Sequence, residues 1–377
     1  MIQRTHKTHI LRRARRVVVK VGSSVLSTPD GIQHASIARL VQDLVALRQG
    51  EKEVILVTSG AVASGMSRLG MKIRPKTIPG KQAAAAVGQI ALMALYERHF
   101  SQHDVRVAQI LLTHDDLANR RRYLNAKHTM LTLLDAKILP IVNENDTVAV
   151  EEIQFGDNDN LSALVAVLVE ADLLVILSDV AGLYNKDPRV HADARLVPLV
   201  EKLDHKVFAQ AGGAGTLGRG GMLSKLQAAQ KAAVSGIPTI VADGQQKDTL
   251  TAVFDLTKET GTLFLPEADR LTSRKHWIAY TLKPAGELIV DAGACTAIRE
   301  RGRSLLSPGV REVRGTFSEG ECVTCFDDNG HAFARGLVNY SSEALARIKG
   351  TRTTQIEQIL GYKVSDEVIH RDDLALL

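Results

Sequence analysis

The chain has few cysteines and few aromatic residues. Its 377 residues include three cysteines, Cys295, Cys322 and Cys325, and so sparse and odd a set argues against a disulfide framework and favours a reducing compartment, the cytoplasm. Aromatic residues make up 4% of the chain and apolar residues 45%. The core must therefore be built from Ala, Val, Leu and Ile, which suits an α/β protein with a buried parallel sheet.

Two of the cysteines have a spacing that occurs in zinc sites, Cys322-x-x-Cys325. A structural zinc site needs four Cys or His ligands, and only Cys295, His331 and His370 are left to complete the set, at irregular spacing. We therefore expect no metal site here and interpret the two cysteines as small residues of a strand.

Long apolar runs and acidic residues near the N-terminus are also missing. No run of about twenty apolar residues occurs, so no membrane-spanning helix is predicted. The first sixteen residues contain no acid but six basic residues, which are Arg4, Lys7, Arg12, Arg13, Arg15 and Arg16. Without them the chain has 41 basic and 42 acidic residues (47 − 6 against 42), which gives little support for a nucleic-acid surface. We expect residues 1–15 to be a solvated, disordered extension.

The two most familiar nucleotide-binding signatures are absent or misplaced. The chain has no P-loop of the form G-x-x-x-x-G-K-[ST]. A G-x-G-x-x-G sequence occurs at 213–218, but no apolar strand precedes it, as a Rossmann fingerprint requires. We interpret this segment as a flexible glycine loop.

Apolar runs in the first 265 residues alternate with helical patterns. Strands are predicted at 17–21, 54–57, 105–112, 138–142, 173–177 and 238–241. Helices are predicted at 37–45 (ended by Gly50), 82–96, 119–134, 161–169 and 222–234. This order predicts a mostly parallel sheet with helices on both faces, which binds ligands at the carboxyl ends of its strands.

The pattern changes after about residue 265. Residues 266–283 are polar and are interpreted as a linker. Short β segments follow at 287–290, 320–325 and 332–338, separated by turn residues as in a small barrel. The sequence therefore predicts an extension (1–15), an α/β domain (16–265), a linker (266–283) and a β-rich domain (284–377).

Polar clusters lie where predicted strands end or helices begin. K-V-G-S-S at 20–24 and T-S-G-A at 58–61 follow the first two strands. In the first, a glycine would let a phosphate approach backbone N–H groups beside a lysine. In the second, small residues leave room for a ligand beside a hydroxyl group. An ordinary tight turn explains either cluster equally well when it is taken alone.

Two further clusters combine amides, carboxylates and glycines. N-E-N-D at 143–146 follows a strand, and G-D-N-D-N at 156–160 precedes a helix. Such a mixture suits an amino acid, which carries both an ammonium and a carboxylate, although a surface loop with an Asx cap is the simpler alternative. R-G-G-M-L-S-K at 219–225 opens a helix whose positive end suits the phosphates of a nucleotide. A glycine-rich helix start with a solvated lysine is the alternative.

Together with S-D-V-A-G-L-Y-N-K-D-P-R at 178–189, these clusters resemble the amino acid kinase family, from about residue 16 onward. Residues 286–364 resemble a PUA domain. The resemblance implies the amino acid kinase fold followed by a small β-rich PUA-like domain. It also implies ATP-dependent phosphorylation of the side-chain carboxylate of L-glutamate, the first step toward proline, in a cytoplasmic homo-oligomer that proline inhibits.

Two alternatives stay open from the residues alone. One is a related kinase acting on aspartate or N-acetylglutamate, although the carboxylates of the amide-rich clusters favour a free ammonium group. The other is an RNA-binding protein acting through the PUA-like domain. Residues 281–377 contain 12 basic and 14 acidic residues, whereas RNA binding generally requires a basic surface.

The resemblance also implies roles for individual residues. The catalytic residues are Lys20 and Lys225, with Asp159 holding them in position, and the substrate-binding residues are Ser59, Asp146 and Asn158. The nucleotide-binding residues are Lys20, Gly22, Ser178, Asp179, Arg219, Gly220, Gly221, Met222, Leu223, Ser224 and Lys225. Ser178 and Arg219 stand where threonine is usual in the family. Mg²⁺ is expected to be held mostly by ATP oxygens and water, with no protein ligands assigned.

Overall fold

The computed structural model describes residues 2–28, 31–149, 158–211, 221–267, 275, 278–279 and 282–377. The chain divides into two units, Met1–Ala118 with Ala126–Glu267, and Asn119–Asn125 with Ala268–Leu377. The predicted glycine loop at 213–218 and most of the predicted linker at 266–283 lie outside the described residues.

The first unit is built on an eight-stranded sheet in the order β5-β6-β4-β1-β7-β9-β10-β8. Its strands are β1 (Arg16–Val21), β4 (Glu53–Val57), β5 (Val107–Leu112), β6 (Leu139–Glu144), β7 (Leu173–Ser178), β8 (Leu199–Val200), β9 (Thr239–Asp243) and β10 (Thr262–Phe264). A separate short hairpin is formed by β2 (Ser27–Thr28) and β3 (Gly31–Ile32).

The pairing follows the predicted parallel pattern from β5 to β9. At the far edge β10 runs antiparallel to β9, and β8 pairs parallel with β10. The valines and leucines of β1 and β7 are almost completely buried, as expected for strands that are covered on both faces.

Helices connect and cover the strands of the first unit, and one of them begins in the residues up to Asn125 that are grouped with the second unit. They are α1 (Ile2–Arg13), α2 (Ser23–Leu26), α3 (His34–Gln49), α4 (Ala61–Arg68), α5 (Ile78–Ser101), α6 (His114–Ala118), α7 (Arg120–Asp135), α8 (Asn158–Leu168), α9 (His205–Ala211), α10 (Met222–Val234) and α11 (Thr249–Phe254). The predicted α/β architecture is confirmed. None of the helices in the described ranges is long and apolar enough to cross a membrane.

The expectation of a disordered N-terminal extension is wrong. Residues 2–13 form α1, and Leu11 and Ala14 are buried in the same apolar cluster as β1 and α3. Lys7 Nζ also donates to the carbonyl oxygen of Lys258 over 2.9 Å. The basic composition of the segment predicted exposure to solvent, whereas its few apolar residues pack against the first unit.

The second unit has its own apolar core and a mixed five-stranded sheet in the order β13-β11-β14-β15-β17. Its elements are β11 (Gly286–Val290), α12 (Ala292–Arg301), β12 (Leu305–Leu306), β13 (Val310–Gly315), β14 (Cys322–Phe326), β15 (Ala332–Leu337), α13 (Ser342–Ile348), α14 (Ile356–Leu360), β16 (Glu367–Ile369) and β17 (Leu374–Leu376). Strands β12 and β16 form a separate pair. Cys322 and Cys325 lie buried in β14, so the interpretation of both as strand residues is confirmed.

Candidate active site

The predicted site residues follow four neighbouring strands at the carboxyl edge of the large sheet. Lys20 lies near the end of β1, Ser59 follows β4, Asp146 follows β6, and Ser178 ends β7. Because these strands are parallel, their carboxyl ends meet at one edge of the sheet. Helices α8 and α10 begin at Asn158 and Met222.

Three charged side chains form a buried cluster at this edge. The carboxylate of Asp159 forms an ion pair with Lys20 through Oδ1, and Lys225 Nζ lies 3.3 Å from its Oδ2. The Ser224 hydroxyl donates to Oδ2 over 2.6 Å. Lys20, Asp159 and Lys225 have exposed fractions of 6%, 2% and 4%. The structure thus brings together the three residues predicted to be catalytic, with a formal charge of +1 when all three are ionised.

The electrostatics of this cluster keep the carboxylate charged. Burial alone would raise the pKa of Asp159, but the charges of Lys20 and Lys225 and the hydrogen bonds from Lys20 and Ser224 outweigh it, so that the pKa is lowered to about 2. Burial lowers the pKa of Lys225, an effect that Asp159 opposes and Lys20 reinforces. Asp159 therefore balances the lysines and is not available as a proton acceptor at neutral pH.

A second cluster, of amide and hydroxyl groups, lies directly beside the first. Asn158 Nδ2 lies 2.5 Å from the carbonyl oxygen of Thr58, 2.9 Å from Asn143 Oδ1 and 3.1 Å from Ser59 Oγ. Asn143 Nδ2 in turn donates to Gln89 Oε1 over 2.8 Å. Because Asn158 and Asp159 are consecutive residues, the amide cluster and the charged cluster meet in the first turn of α8.

Close packing of two helices fixes the position of Ser59. Gly60, with φ +103°, makes the left-handed turn from β4 into α4. A Cβ atom on Gly65 of α4 would lie 1.7 Å from the carbonyl oxygen of Ala84, and one on Gly88 of α5 would lie 1.9 Å from that of Ala61. Two glycines therefore allow the backbones of α4 and α5 to touch, and α4 begins two residues after Ser59.

Asp146 lies apart from the charged cluster, in the turn after β6. Burial raises its pKa to about 6, although the charge of Arg74 acts in the opposite direction. No hydrogen bond or ion pair from the described residues brings Asp146 into contact with Ser59 or Asn158. The three predicted substrate-binding residues thus form one joined pair and one separate carboxylate.

The predicted nucleotide-binding residues are placed in part. Gly22 is buried after β1, where an added Cβ would lie 3.6 Å from Lys20 Nζ. Ser178 Oγ donates to Asp179 Oδ1 over 3.0 Å. Gly221 is the N-cap of α10, and Met222, Leu223, Ser224 and Lys225 form its first turn. Arg219 and Gly220 lie outside the described residues.

Sequence reasoning missed two members of the amide cluster. Asn143 belongs to the N-E-N-D segment, in which only Asp146 has a predicted role, and Gln89 lies in the predicted helix at 82–96, which contains no predicted site residue. The one signal for Gln89 is its polarity on a face that also carries Ala84, Ala85, Gly88 and Leu92, all of which are buried.

The described residues contain no group of three or more His, Cys, Asp or Glu side chains that could hold a metal ion. The carboxylate of Asp159 contacts both lysines and the Ser224 hydroxyl group.

Comparison with protein families gives two matches. The amino acid kinase family model matches residues 15–243, and the PUA domain model matches residues 286–360. Among solved structures, carbamate kinase from Giardia lamblia bound to AMP-PNP shares 16% identity, with a TM-score of 0.49, over 68% of this chain and 99% of that one.

Curated relatives are much more similar and extend over nearly the whole chain. Glutamate 5-kinase of Pelobacter propionicus is 49% identical, over 98% of this chain and 100% of the relative. Glutamate 5-kinase of Trichlorobacter lovleyi is 52% identical over 98% of each chain. Glutamate 5-kinase of Meiothermus ruber is 52% identical, over 99% of this chain and 97% of the relative. The chain therefore belongs to the amino acid kinase family and, within it, to the glutamate 5-kinases, with a PUA domain after the kinase domain.

Proposed function

We propose that the enzyme transfers the γ-phosphoryl group of ATP to the side-chain carboxylate of L-glutamate, giving L-glutamyl 5-phosphate, the first step toward proline. The observation that carries the proposal is the buried Lys20–Asp159–Lys225 cluster, joined through Asn158 to the amide cluster. A cationic group next to amide and hydroxyl ligands is the combination that a phosphate and an amino acid require together.

The chemistry needs positioning and charge stabilisation more than proton transfer. The side-chain carboxylate of glutamate has an ordinary pKa of about 4.3 and is ionised at neutral pH, so no general base has to activate it. The barrier arises from bringing two anions together and from the charge on the transferred group. Lys20 and Lys225 supply the opposing charge, one toward the transferred phosphoryl group and the other toward the oxygen that remains with ADP.

Asp159 is proposed to hold both ammonium groups in place. It lies in the first turn of α8, contacts one lysine with each carboxylate oxygen, and receives a hydrogen bond from Ser224. Ionised Asp159 lies between the two lysines, and its charge opposes the lowering of the Lys225 pKa by burial. Its proposed role is to position the two lysines, since each carboxylate oxygen contacts one of them.

The amino acid is proposed to bind at the amide cluster and Asp146. Ser59 offers a hydroxyl group, Asn158 an amide and Asp146 a carboxylate for the α-ammonium group. Because Asn158 and Asp159 are adjacent, a substrate held by Asn158 lies beside the cluster that contains the two lysines.

The nucleotide is proposed to bind along Gly22, Ser178, Asp179 and the start of α10. Gly22 places no side chain beside Lys20, although its N–H group donates to the carbonyl oxygen of Leu177. The N–H groups in the first turn of α10 form the positive end of that helix, which suits a phosphate. Arg219 and Gly220, which precede this turn, are assigned here from the family resemblance alone. Mg²⁺ enters with ATP as part of the substrate, bound to phosphate oxygens and water.

The substrate assignment is tested by trapping the product. With ATP and Mg²⁺, L-glutamate should give an acyl phosphate that hydroxylamine converts to a hydroxamate, whereas L-aspartate and N-acetyl-L-glutamate should give little. N-acetylation removes the ammonium group and would leave Asp146 unpaired. Comparable rates with N-acetyl-L-glutamate would show that the site does not recognise a free ammonium group and would refute the assignment.

Proline is proposed to inhibit by occupying the glutamate site. It carries an α-carboxylate and a charged nitrogen but no side-chain carboxylate, so it can bind around Ser59, Asp146 and Asn158 without reacting. Inhibition should weaken as glutamate rises and should also weaken in Asp146→Ala. Inhibition that stays unchanged at saturating glutamate would place proline at a separate site.

We further propose that residues 16–265 form the kinase domain, 266–283 a linker and 284–377 the PUA-like domain of a cytoplasmic homo-oligomer. RNA binding by the PUA-like domain is not favoured, because its basic residues are outnumbered and several are paired. Arg299, Arg311 and Arg314 form ion pairs with Asp327, Asp328 and Glu312, respectively.

A further inference from the structure

Three side-chain amides form a directed chain from the middle of α5 to the start of α8. Asn158 Nδ2 lies 2.5 Å from the carbonyl oxygen of Thr58 and 2.9 Å from Asn143 Oδ1. Asn143 Nδ2 lies 2.8 Å from Gln89 Oε1. Gln89, Asn143 and Asn158 are all at least nine-tenths buried.

The carbonyl oxygen of Thr58 shows which way each side-chain amide of this hydrogen-bonded series is turned. The carbonyl oxygen of Thr58 only accepts hydrogen bonds, so Asn158 must turn its NH₂ group toward it, since the opposite orientation would place two oxygens 2.5 Å apart. Asn143 must then offer its oxygen to Asn158 and its NH₂ group to Gln89. Gln89 must in turn offer its oxygen. The amide orientation of all three residues follows from the first contact.

Gln89 has one buried polar atom without a partner, and the hydrogen-bonded series of amides explains why a glutamine is useful here. Its Nε2 is buried and has no hydrogen-bond partner among the described residues. A methionine or leucine would fill the same space without an unpaired donor, which is costly when buried. The useful atom of Gln89 is therefore Oε1, which accepts a hydrogen bond from Asn143.

We infer that Gln89, acting through Asn143, is a positioning residue that holds Asn158 with its oxygen turned toward the α-ammonium group of the amino acid substrate. Both hydrogens of Asn158 Nδ2 face protein acceptors, so Oδ1 is the atom left to present to a ligand. An oxygen there accepts from an ammonium group, whereas an NH₂ group in its place would repel one. The inference rests on the proposed glutamate kinase function and names the group by which that site recognises its substrate.

The test compares Gln89→Met with Gln89→Glu. Methionine fills the space but offers no strong acceptor, so Asn143 loses the contact that keeps its oxygen turned toward Asn158, and Asn158 is held by Thr58 and Ser59 alone. The KM for L-glutamate should rise about 10- to 100-fold, the range that corresponds to losing a hydrogen bond to a charged group, while the KM for ATP stays unchanged. Glutamate retains an acceptor for Asn143, so Gln89→Glu should keep a KM for L-glutamate much closer to that of the unaltered enzyme.

The relative KM values and thermal stabilities of the two variants distinguish a positioning role of Gln89 from a packing role. If Gln89 only fills space, methionine should be tolerated better than a buried carboxylate in both thermal stability and KM. Should Gln89→Glu fail to fold, Asn143→Asp and Asn143→Leu give the same comparison, because aspartate keeps an oxygen for Asn158 and leucine does not. A KM for L-glutamate that is unchanged in Gln89→Met, or lower in Asn143→Leu than in Asn143→Asp, overturns the inference.

The same assays distinguish failure of this inference from failure of the proposed function. An unaltered enzyme that forms no hydroxamate from L-glutamate refutes the function. An active enzyme whose Gln89→Met variant has normal kinetics refutes only the positioning role.

Discussion

At the scale of single residues, Asp159 determines the charge of the site. Burial lowers the pKa of Lys225, because it disfavours the charged form. One carboxylate with a pKa of about 2 contacts both Lys20 and Lys225. The cluster thus keeps positive charge in a place where water cannot screen it, which is the environment in which charge acts most strongly on a transferred phosphoryl group.

Asp146 predicts a pH dependence of glutamate binding. Its pKa is raised to about 6 by burial, so the carboxylate becomes protonated as the pH falls through 6 and no longer attracts an ammonium group. The KM for L-glutamate should therefore rise about tenfold per pH unit below pH 6 and level off above pH 7. Steady-state kinetics between pH 5 and pH 8 measure this.

Asp146→Asn is the control for that profile. It should raise the KM at pH 7.5 and remove the change between pH 7 and pH 5, because no titrating group remains at the position. A pH profile that is the same in Asp146→Asn and in the unaltered enzyme would assign the dependence to another group.

At the scale of elements, the contact between α4 and α5 predicts an intolerant position. In Gly65→Ala the new methyl group would lie 1.7 Å from a backbone carbonyl oxygen of α5, so the helices must move apart. We expect a loss of about 1–3 kcal/mol in the free energy of unfolding, together with a higher KM for L-glutamate, because α4 follows Ser59. Chemical denaturation and kinetics measure the two effects.

Gly293→Ala is the matched control, since Gly293 also lies in a helix, α12, and an added Cβ would approach only Asp291 Oδ1, at 3.4 Å. It should be neutral or stabilising, because alanine is the better helix former. If Gly65→Ala were equally harmless, the two helices would not depend on close backbone contact.

The elements that sequence reasoning predicted are those with an uninterrupted apolar signal. The strands at 17–21 and 173–177 are entirely apolar apart from Lys20, and the helix at 222–234 has the predicted bounds. Helix α4 was missed because Gly60, Gly65 and several small residues are usually signs of a turn. Here those glycines serve close packing, which depends on the partner helix and is not visible in a local sequence window.

The candidate site was predicted to a similar degree. Lys20, Asp159 and Lys225 were recognised from motifs, and the structure brings them into one cluster. The ion pairs, the hydrogen bond from Ser224 and the contact of Gln89 with Asn143 join residues that are 54 to 139 positions apart in sequence. Such distances are fixed by the sheet order β6-β4-β1-β7, which pattern reasoning did not supply.

At the scale of the whole molecule, the proposed catalytic set lies entirely in the first unit, which has its own apolar core. We expect a chain that ends near residue 275 to fold and to retain glutamate kinase activity. Circular dichroism, thermal unfolding and hydroxamate formation on the purified truncated chain measure this. A folded truncated chain that binds ATP but transfers no phosphate would show that the PUA domain completes the active site.

The central claim is that the buried lysines act on the transferred phosphoryl group, and kcat of Lys225→Ala tests it most directly. Lys231→Ala is the matched control, because Lys231 lies in the same helix but is exposed. With L-glutamate, ATP and Mg²⁺ saturating, we expect kcat for hydroxamate formation to fall about 10²- to 10³-fold in Lys225→Ala and to stay normal in Lys231→Ala. A Lys225→Ala enzyme with nearly normal kcat would contradict the account.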